Sequence, residues 1–248
     1  MNDFKKIEKE INNFLSQNKL PYFEILFEIA SAGMKDAEHP EMFACILREH
    51  QYFSTQKKYI PVAYLADQET NLKSELSESN IKKFVRVHIY SFLYALLINC
   101  MVLECHCQNI FSILSNDAQV IGLCYKDFGG MMLLESKWSH LLLEGSLIQT
   151  NDIQFLVDCF FHDFMSLLIL IMKTKCVEGF QSFVVNEITM CLEQIVRMGV
   201  AHPNILKCFL KCITSDRIKM KALTKMAMNT KKETFFFEFK NPFKLSSN

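Results

Sequence analysis

The sequence predicts a helix-rich α+β domain built around a small antiparallel sheet. Apolar residues recur at helical spacing in both the first and last thirds of the chain. Between them, short alternating runs flank a turn sequence near the middle. Half of the 248 residues are hydrophobic, enough to enclose a sizeable core in one domain.

Asn2 to Gln17 sets Phe4, Ile7, Ile11, Phe14 and Leu15 on one helical face. Pro21 is placed to open a second helix through Ala32, with Gly33 as its stop, and Pro40 to His50 fits a third. Tyr59 to Leu65 reads as a strand, which Pro61 confines to an edge or a strand start. Asp67 to Ser79 is polar and fits a short helix and a loop, and Asn80 is the expected N-cap of a long helix reaching about Leu103.

Ile110 to Leu114 and Val120 to Tyr125 form a predicted hairpin across Ser115-Asn116-Asp117-Ala118. Gly129-Gly130 permits a tight bend before a short strand from Met131 to Leu134. Asn151-Asp152 caps a helix through Lys173, and further helices follow at Gly179 to Met198 and Pro203 to Cys212. Lys219 to Met228 reads as a basic amphipathic helix and Phe235 to Phe239 as the final strand. The expected organisation is one domain over 1–248, helical in 1–58, β-rich in 59–135 and helical again in 136–248.

Composition narrows the function classes. Lys plus Arg and Asp plus Glu balance at 27 each, so no global field favours nucleic acid or an anionic membrane, and any anion must be held locally. Ile89 to Leu103 is interrupted by Ser91 and Asn99, and Phe164 to Met172 is short, so both read as core helices and no membrane partner is expected. The opening Met1-Asn2-Asp3-Phe4-Lys5-Lys6 lacks an apolar signal core, and the ten cysteines are scattered through apolar runs. A reduced, cytoplasmic protein with free thiols follows.

The chemistry concentrates between Glu104 and Gly130. On a strand, Glu104, His106 and Gln108 would share one face while Cys105 and Cys107 turn to the core. Asp127 follows the paired strand and would return near the same end. Asn109 and Asp127 are then natural oxygen ligands for Mg²⁺, which takes one or two protein carboxylates together with phosphate oxygens. The same residues also fit a polar strand end with a satisfied histidine.

Elsewhere the bland reading is favoured. Cys105-His106-Cys107 would not converge on a metal from alternate strand faces. His162-Asp163 offers a relay or, as the favoured reading, a satisfied core histidine, and Lys207, Lys211, Arg217, Lys219, Lys221 and Lys225 offer a phosphate or polyanion site or, more commonly, a solvated helix face. No P-loop, Rossmann fingerprint or nucleophile elbow occurs.

The E-C-H-C-Q-N of Glu104 to Asn109 resembles the E-x-H-x-Q-N of siderophore synthetases that work without a peptide-synthetase template, the IucA/IucC type. Lys126-Asp127-Phe128-Gly129-Gly130 resembles their R-D-x-x-G, with Lys126 in place of arginine. Ala44 to Glu49, Ile60 to Leu65, Lys221-Ala222-Leu223 and Asn241-Pro242-Phe243 match further motifs in the same order, so the resemblance spans nearly the whole chain.

The resemblance implies an ATP-dependent condensation, in which a citrate-like carboxylate is adenylated and then attacked by an amine or hydroxyl. It implies a nucleotide site at His106, Gln108 and Asn109, with Glu104 and Lys126 beside them, and Mg²⁺ at Asn109 and Asp127. It likens the chain to the C-terminal half of such an enzyme. The family's N-terminal H-P-x-H-P-x-x-K and S-x-R-T motifs have no counterpart, so a split or truncated form with an N-terminal-half partner is expected. A homodimer is also expected from the resemblance. Lys126 lacks the fork of the arginine it replaces.

The rival readings are a non-catalytic binding or assembly module left from such an enzyme, and a ferric-siderophore reductase of the FhuF type. The reductase requires a C-terminal cysteine cluster, and no cysteine follows Cys212.

Overall fold

The computed structural model describes residues 2–26, 28–32, 45–48, 57–66, 77–127, 131–140, 148–174, 177–221 and 236–246. The fold is α+β, as expected, with the long helix α3 (Glu78–Leu97) buried along most of its length. A helix apolar on nearly every side belongs inside. The central sheet, α1 (Asn2–Gln17) and α6 (Phe180–Met198) pack around it.

The central sheet runs β1 (Tyr22–Leu26), β7 (Val120–Lys126), β6 (Ile110–Leu114), β4 (Lys58–Pro61). The β6–β7 hairpin and β4 are antiparallel as expected, but β1 joins parallel to β7, so the sheet is mixed. Pro61 ends the edge strand β4, where the missing N–H breaks no ladder. A short helix, α2 (Val62–Ala66), takes over from the strand that the sequence extends to Leu65.

The helical expectation for Pro21 to Ala32 is wrong. Phe23 and Ile25 point into the core while Tyr22 and Glu24 lie on the other face, a two-residue alternation that suits a strand beside β7. Helix α1 (Asn2–Gln17) then closes the outer edge of β1. The Asn12 amide both accepts from the Phe23 N–H (2.8 Å) and donates to the Phe23 carbonyl (2.7 Å). Glu8 accepts from the Ile25 N–H at 2.8 Å. Side chains thus do for this edge what another strand would do, and the edge is not left open. Strand β2 (Glu28–Ala32), at the end of the same expected helix, pairs antiparallel with β3 (Cys45–Arg48), which falls where the third helix was expected; the rest of that third helix lies outside the described residues.

Ser77, not Asn80, caps α3, its hydroxyl accepting from the Asn80 N–H. Asn80 instead holds the hairpin turn. The helix stops at Leu97, and Met101–Val102 form β5, which pairs with β8 (Met132–Leu134); β9 (Ile148–Thr150) completes this second sheet. Glu135–Trp138 form the short α4.

Asp152 caps α5 (Ile153–Thr174) through the Phe155 N–H. By length and apolarity α5 could cross a membrane, yet 78% of its most apolar window is buried against the rest of the fold, which makes it a core helix. Helix α6 (Phe180–Met198) ends at Gly199, whose φ of 67° is the left-handed stop that glycine adopts without strain. Helix α7 (Pro203–Ile213) follows. Lys219 to Lys221 belong to strand β10 (Arg217–Lys221), not to a helix, because Ile218 and Met220 alternate inward and the strand pairs with β11 (Phe236–Lys240). The remainder of the expected basic helix, 222–228, lies outside the described residues.

Candidate functional site

Residues 103–109 join β5 to β6 as an irregular loop, so the strand expected through Glu104, His106 and Gln108 does not form. The Cys105 N–H closes on the Leu103 carbonyl at 2.7 Å and the Asn109 N–H on that of His106 at 3.0 Å. These local turns leave Cys105 fully buried and send Gln108 out to solvent. The loop is tied to α2 by the Ala63 N–H donating to the Cys107 carbonyl.

The loop nevertheless gathers most of the expected residues. Glu104 Oε2 lies 3.9 Å from His106 Nε2, and Asn109 Nδ2 lies 3.3 Å from the same nitrogen. Asn109 is buried, and its amide also donates to the Glu104 carbonyl at 3.2 Å. Its main-chain carbonyl accepts from the Lys126 N–H at 2.9 Å, which fixes the loop against the start of the next connection.

Asp127 is brought to the loop by a residue that motif reading passed over. The Tyr125 hydroxyl accepts from the Glu104 N–H at 3.2 Å and donates to the Asp127 carbonyl at 2.6 Å. Asp127 itself has φ of 73°, a left-handed conformation that short polar residues tolerate and others rarely adopt. Lys126 leans over the Phe111 ring at 5.9 Å, while its charge is still felt by His106.

The structure adds a second set of side chains. Lys221, at the end of β10, lies 3.3 Å from Asp163 Oδ2 on α5. The Lys221 main-chain N–H donates to His162 Nδ1 at 3.1 Å. His162 Nε2 in turn is 3.8 Å from Asp163 Oδ1. The charges of Lys221 and Glu104 each act on His106, and Glu104 acts on both Asp163 and Lys221, so the two sets form one electrostatic neighbourhood.

Each shift has a physical cause. Burial, then the cations Lys221 and Lys126, hold His106 below the usual histidine range against the pull of Glu104 and Asp127. Burial, then Lys221 and His106, bring His162 down to about 4. Burial lifts Asp163 to about 7, with Glu104 adding to it and Lys221 opposing. Burial alone would lower Lys221, but Asp163, Cys159 and Glu104 more than offset it and the ammonium is favoured. Neutral imidazoles therefore stand beside a fixed cation.

His162-Asp163 was readable as a core pair and Lys221 as part of a solvated basic face. Only the K-A-L match hinted at Lys221, and nothing local joined it to α5. Among the described residues no group of three or more His, Cys, Asp and Glu side chains gathers to hold a metal ion. Eight cysteines there are free thiols, and burial raises them all, which marks them as packing groups.

No protein-family model and no curated protein sequence matches the chain. Solved structures do. The aerobactin synthetase IucC of a hypervirulent Klebsiella pneumoniae pathotype superposes with a TM-score of 0.67 at 16% identity, over 96% of this chain and 46% of that one. The petrobactin biosynthesis protein AsbB of Bacillus anthracis str. Sterne gives 0.70 at 16% identity, over 98% and 45%. The ATP-bound aerobactin synthetase IucA of the same Klebsiella pathotype gives 0.63 at 14% identity, over 98% and 46%. The chain thus has a fold found in siderophore synthetases and spans about half the length of those it matches.

Proposed function

We propose that this chain is the nucleotide-site lobe of an ATP-dependent siderophore synthetase, acting in the reduced cytoplasm. The observation that carries the reading is the convergence of Glu104, His106, Asn109 and Asp127 at one loop of a synthetase fold, with the Lys221 cation beside them.

The donor chemistry fits a nucleotide and its magnesium. Asp127 supplies a carboxylate at the mouth of the loop and Asn109 an amide oxygen. That set suits an ion completed by phosphate oxygens and waters, and not a closed protein cage. Bound there, Mg²⁺ would offset phosphate charge. His106, neutral near pH 7, can hydrogen-bond a phosphate or ribose oxygen, and Gln108 offers an exposed amide to the nucleotide. Lys126 supplies a point charge where an arginine fork would grip two oxygens.

In the proposed reaction a citrate-like carboxylate attacks the α-phosphorus of ATP, releasing pyrophosphate and forming an acyl-adenylate. An amine or hydroxyl then displaces AMP, losing its proton as the amide or ester forms. The remainder of the acid and nucleotide surface would come from outside these residues, in the same polypeptide or in a partner chain.

Calorimetry of ATP–Mg²⁺ binding to the folded chain tests this, with Asp127→Ala as the control. Binding that Asp127→Ala abolishes is the expected result. A well-folded protein that binds no ATP–Mg²⁺ would favour the non-catalytic assembly reading.

A further inference from the structure

His162 and Asp163 are consecutive on α5, yet both reach the same residue of β10. His162 Nδ1 accepts from the main-chain N–H of Lys221, and Asp163 Oδ2 lies against its ammonium at 3.3 Å. The acceptor role of Nδ1 leaves the proton on Nε2, the nitrogen that faces Asp163 Oδ1 at 3.8 Å. One residue is therefore held at its backbone and at its charged end by adjacent positions of one helix turn.

This arrangement is costly unless it serves the cation. Lys221 is only 12% exposed at its side chain and Asp163 2%, and taking both charges from water consumes most of what their attraction returns. A hydrophobic pair would fasten β10 to α5 as well. What the ion pair uniquely supplies is a fixed ammonium whose charge acts on His106 and which is itself favoured by Glu104.

We propose that His162 and Asp163 are positioning residues that clamp Lys221 so that its ammonium holds an oxyanion beside the Glu104–His106 loop. The assignment rests on the reading of that loop as a nucleotide and carboxylate site. The oxyanion is a phosphate of ATP or a carboxylate of the acid substrate. Both are planar or tetrahedral oxygen clusters that a fixed ammonium recognises.

The test is a double-mutant cycle on affinity. Dissociation constants for ATP–Mg²⁺ and for citrate are measured separately by calorimetry on wild type, Lys221→Met, His162→Leu, His162→Asn and the His162→Leu/Lys221→Met pair. His162→Leu is expected to weaken the anion by about tenfold, and the double variant to be no weaker than Lys221→Met. His162→Asn, whose Oδ1 can accept the same N–H, restores binding. Loss confined to ATP–Mg²⁺ assigns the oxyanion to phosphate; loss confined to citrate assigns it to carboxylate.

Additive losses, or a lowered melting temperature with unchanged affinities, would overturn the clamp and leave a purely structural pin. Should wild type bind neither anion, the nucleotide reading fails while the clamp is still decided. Heteronuclear NMR of carbon-13-labelled lysine then reads the Lys221 ammonium directly. A titration that shifts down in Asp163→Asn and His162→Leu and recovers in His162→Asn upholds the clamp, and an unmoved titration refutes it.

Discussion

The ammonium of Lys221 lies 3.3 Å from the carboxylate of Asp163, joining the last residue of β10 to the interior face of α5. Burial raises Asp163 from 3.8 to about 7. A carboxyl raised in the folded state favours folding fully below its unfolded value, and that contribution fades as pH rises through about 7. Lys221 is what makes the ionised form tolerable.

Lys221→Met therefore costs more at high pH. At pH 8 the variant lacks the cation that makes ionised Asp163 tolerable, so the carboxyl is either buried unpaired or protonated against the solvent, and a loss of about 3–5 kcal/mol is expected. At pH 5 Asp163 takes up a proton and the loss shrinks. Urea denaturation at the two pH values checks this, and equal losses would contradict it.

His88 governs the acid limb. It is fully buried, stacked on Phe164 at 5.0 Å with its Nε2 3.4 Å from the Phe164 carbonyl, and burial lowers it to about 3. A histidine depressed in the fold contributes stability above its unfolded value of 6.5, and this is lost as pH falls from there toward about 3. The expected slope is about 1.4 kcal/mol per pH unit for one proton. Thermal melts from pH 7 to 4 should show it, and His88→Leu should flatten it.

Asn80 fastens α3 to the β6–β7 turn. Its Nδ2 donates to the Ala118 carbonyl at 2.8 Å, and its Oδ1 accepts from the Val120 N–H at 3.2 Å. Asn80→Ala leaves both turn groups without that partner and should cost about 1–3 kcal/mol by chemical denaturation. Hydrogen exchange at the Val120 amide should accelerate with it.

Gly122 of β7 lies opposite Tyr22 of β1 in the parallel register. A Cβ there would meet the Tyr22 ring at 2.9 Å and the Tyr22 carbonyl oxygen at 3.0 Å. The carbonyl is main chain in the paired register and yields little, so Gly122→Ala should destabilise by about 1–3 kcal/mol. A melting temperature equal to wild type would show that β1 can shift without loss.

Part of this site was legible because it is local. Glu104, His106 and Asn109 lie within six positions, and a loop brings them together whether or not it is a strand. Gln108 belongs to the same motif but turns to solvent, because the 103–109 chain folds into turns and does not alternate. Tyr125 gives no local signal, and His162–Asp163 reads locally as a core pair. Their roles depend on a hydroxyl reaching across from β7 and on α5 meeting β10.

By itself the sequence determined the amphipathic α1, the β6–β7 hairpin, the capped start of α5 and the Pro203 start of α7, since each follows from periodicity or from contacts a few residues apart. Tertiary structure decided the rest. Residues 22–26 fit either period, and they became a strand because β7 offered a parallel edge and Asn12 and Glu8 could close the other, while 28–32 became a strand against β3. Lys219 to Lys221 likewise took strand form against β11. Backbone hydrogen bonds to distant partners outweigh weak local propensity, and the same long-range contacts carried Lys221 to the candidate site.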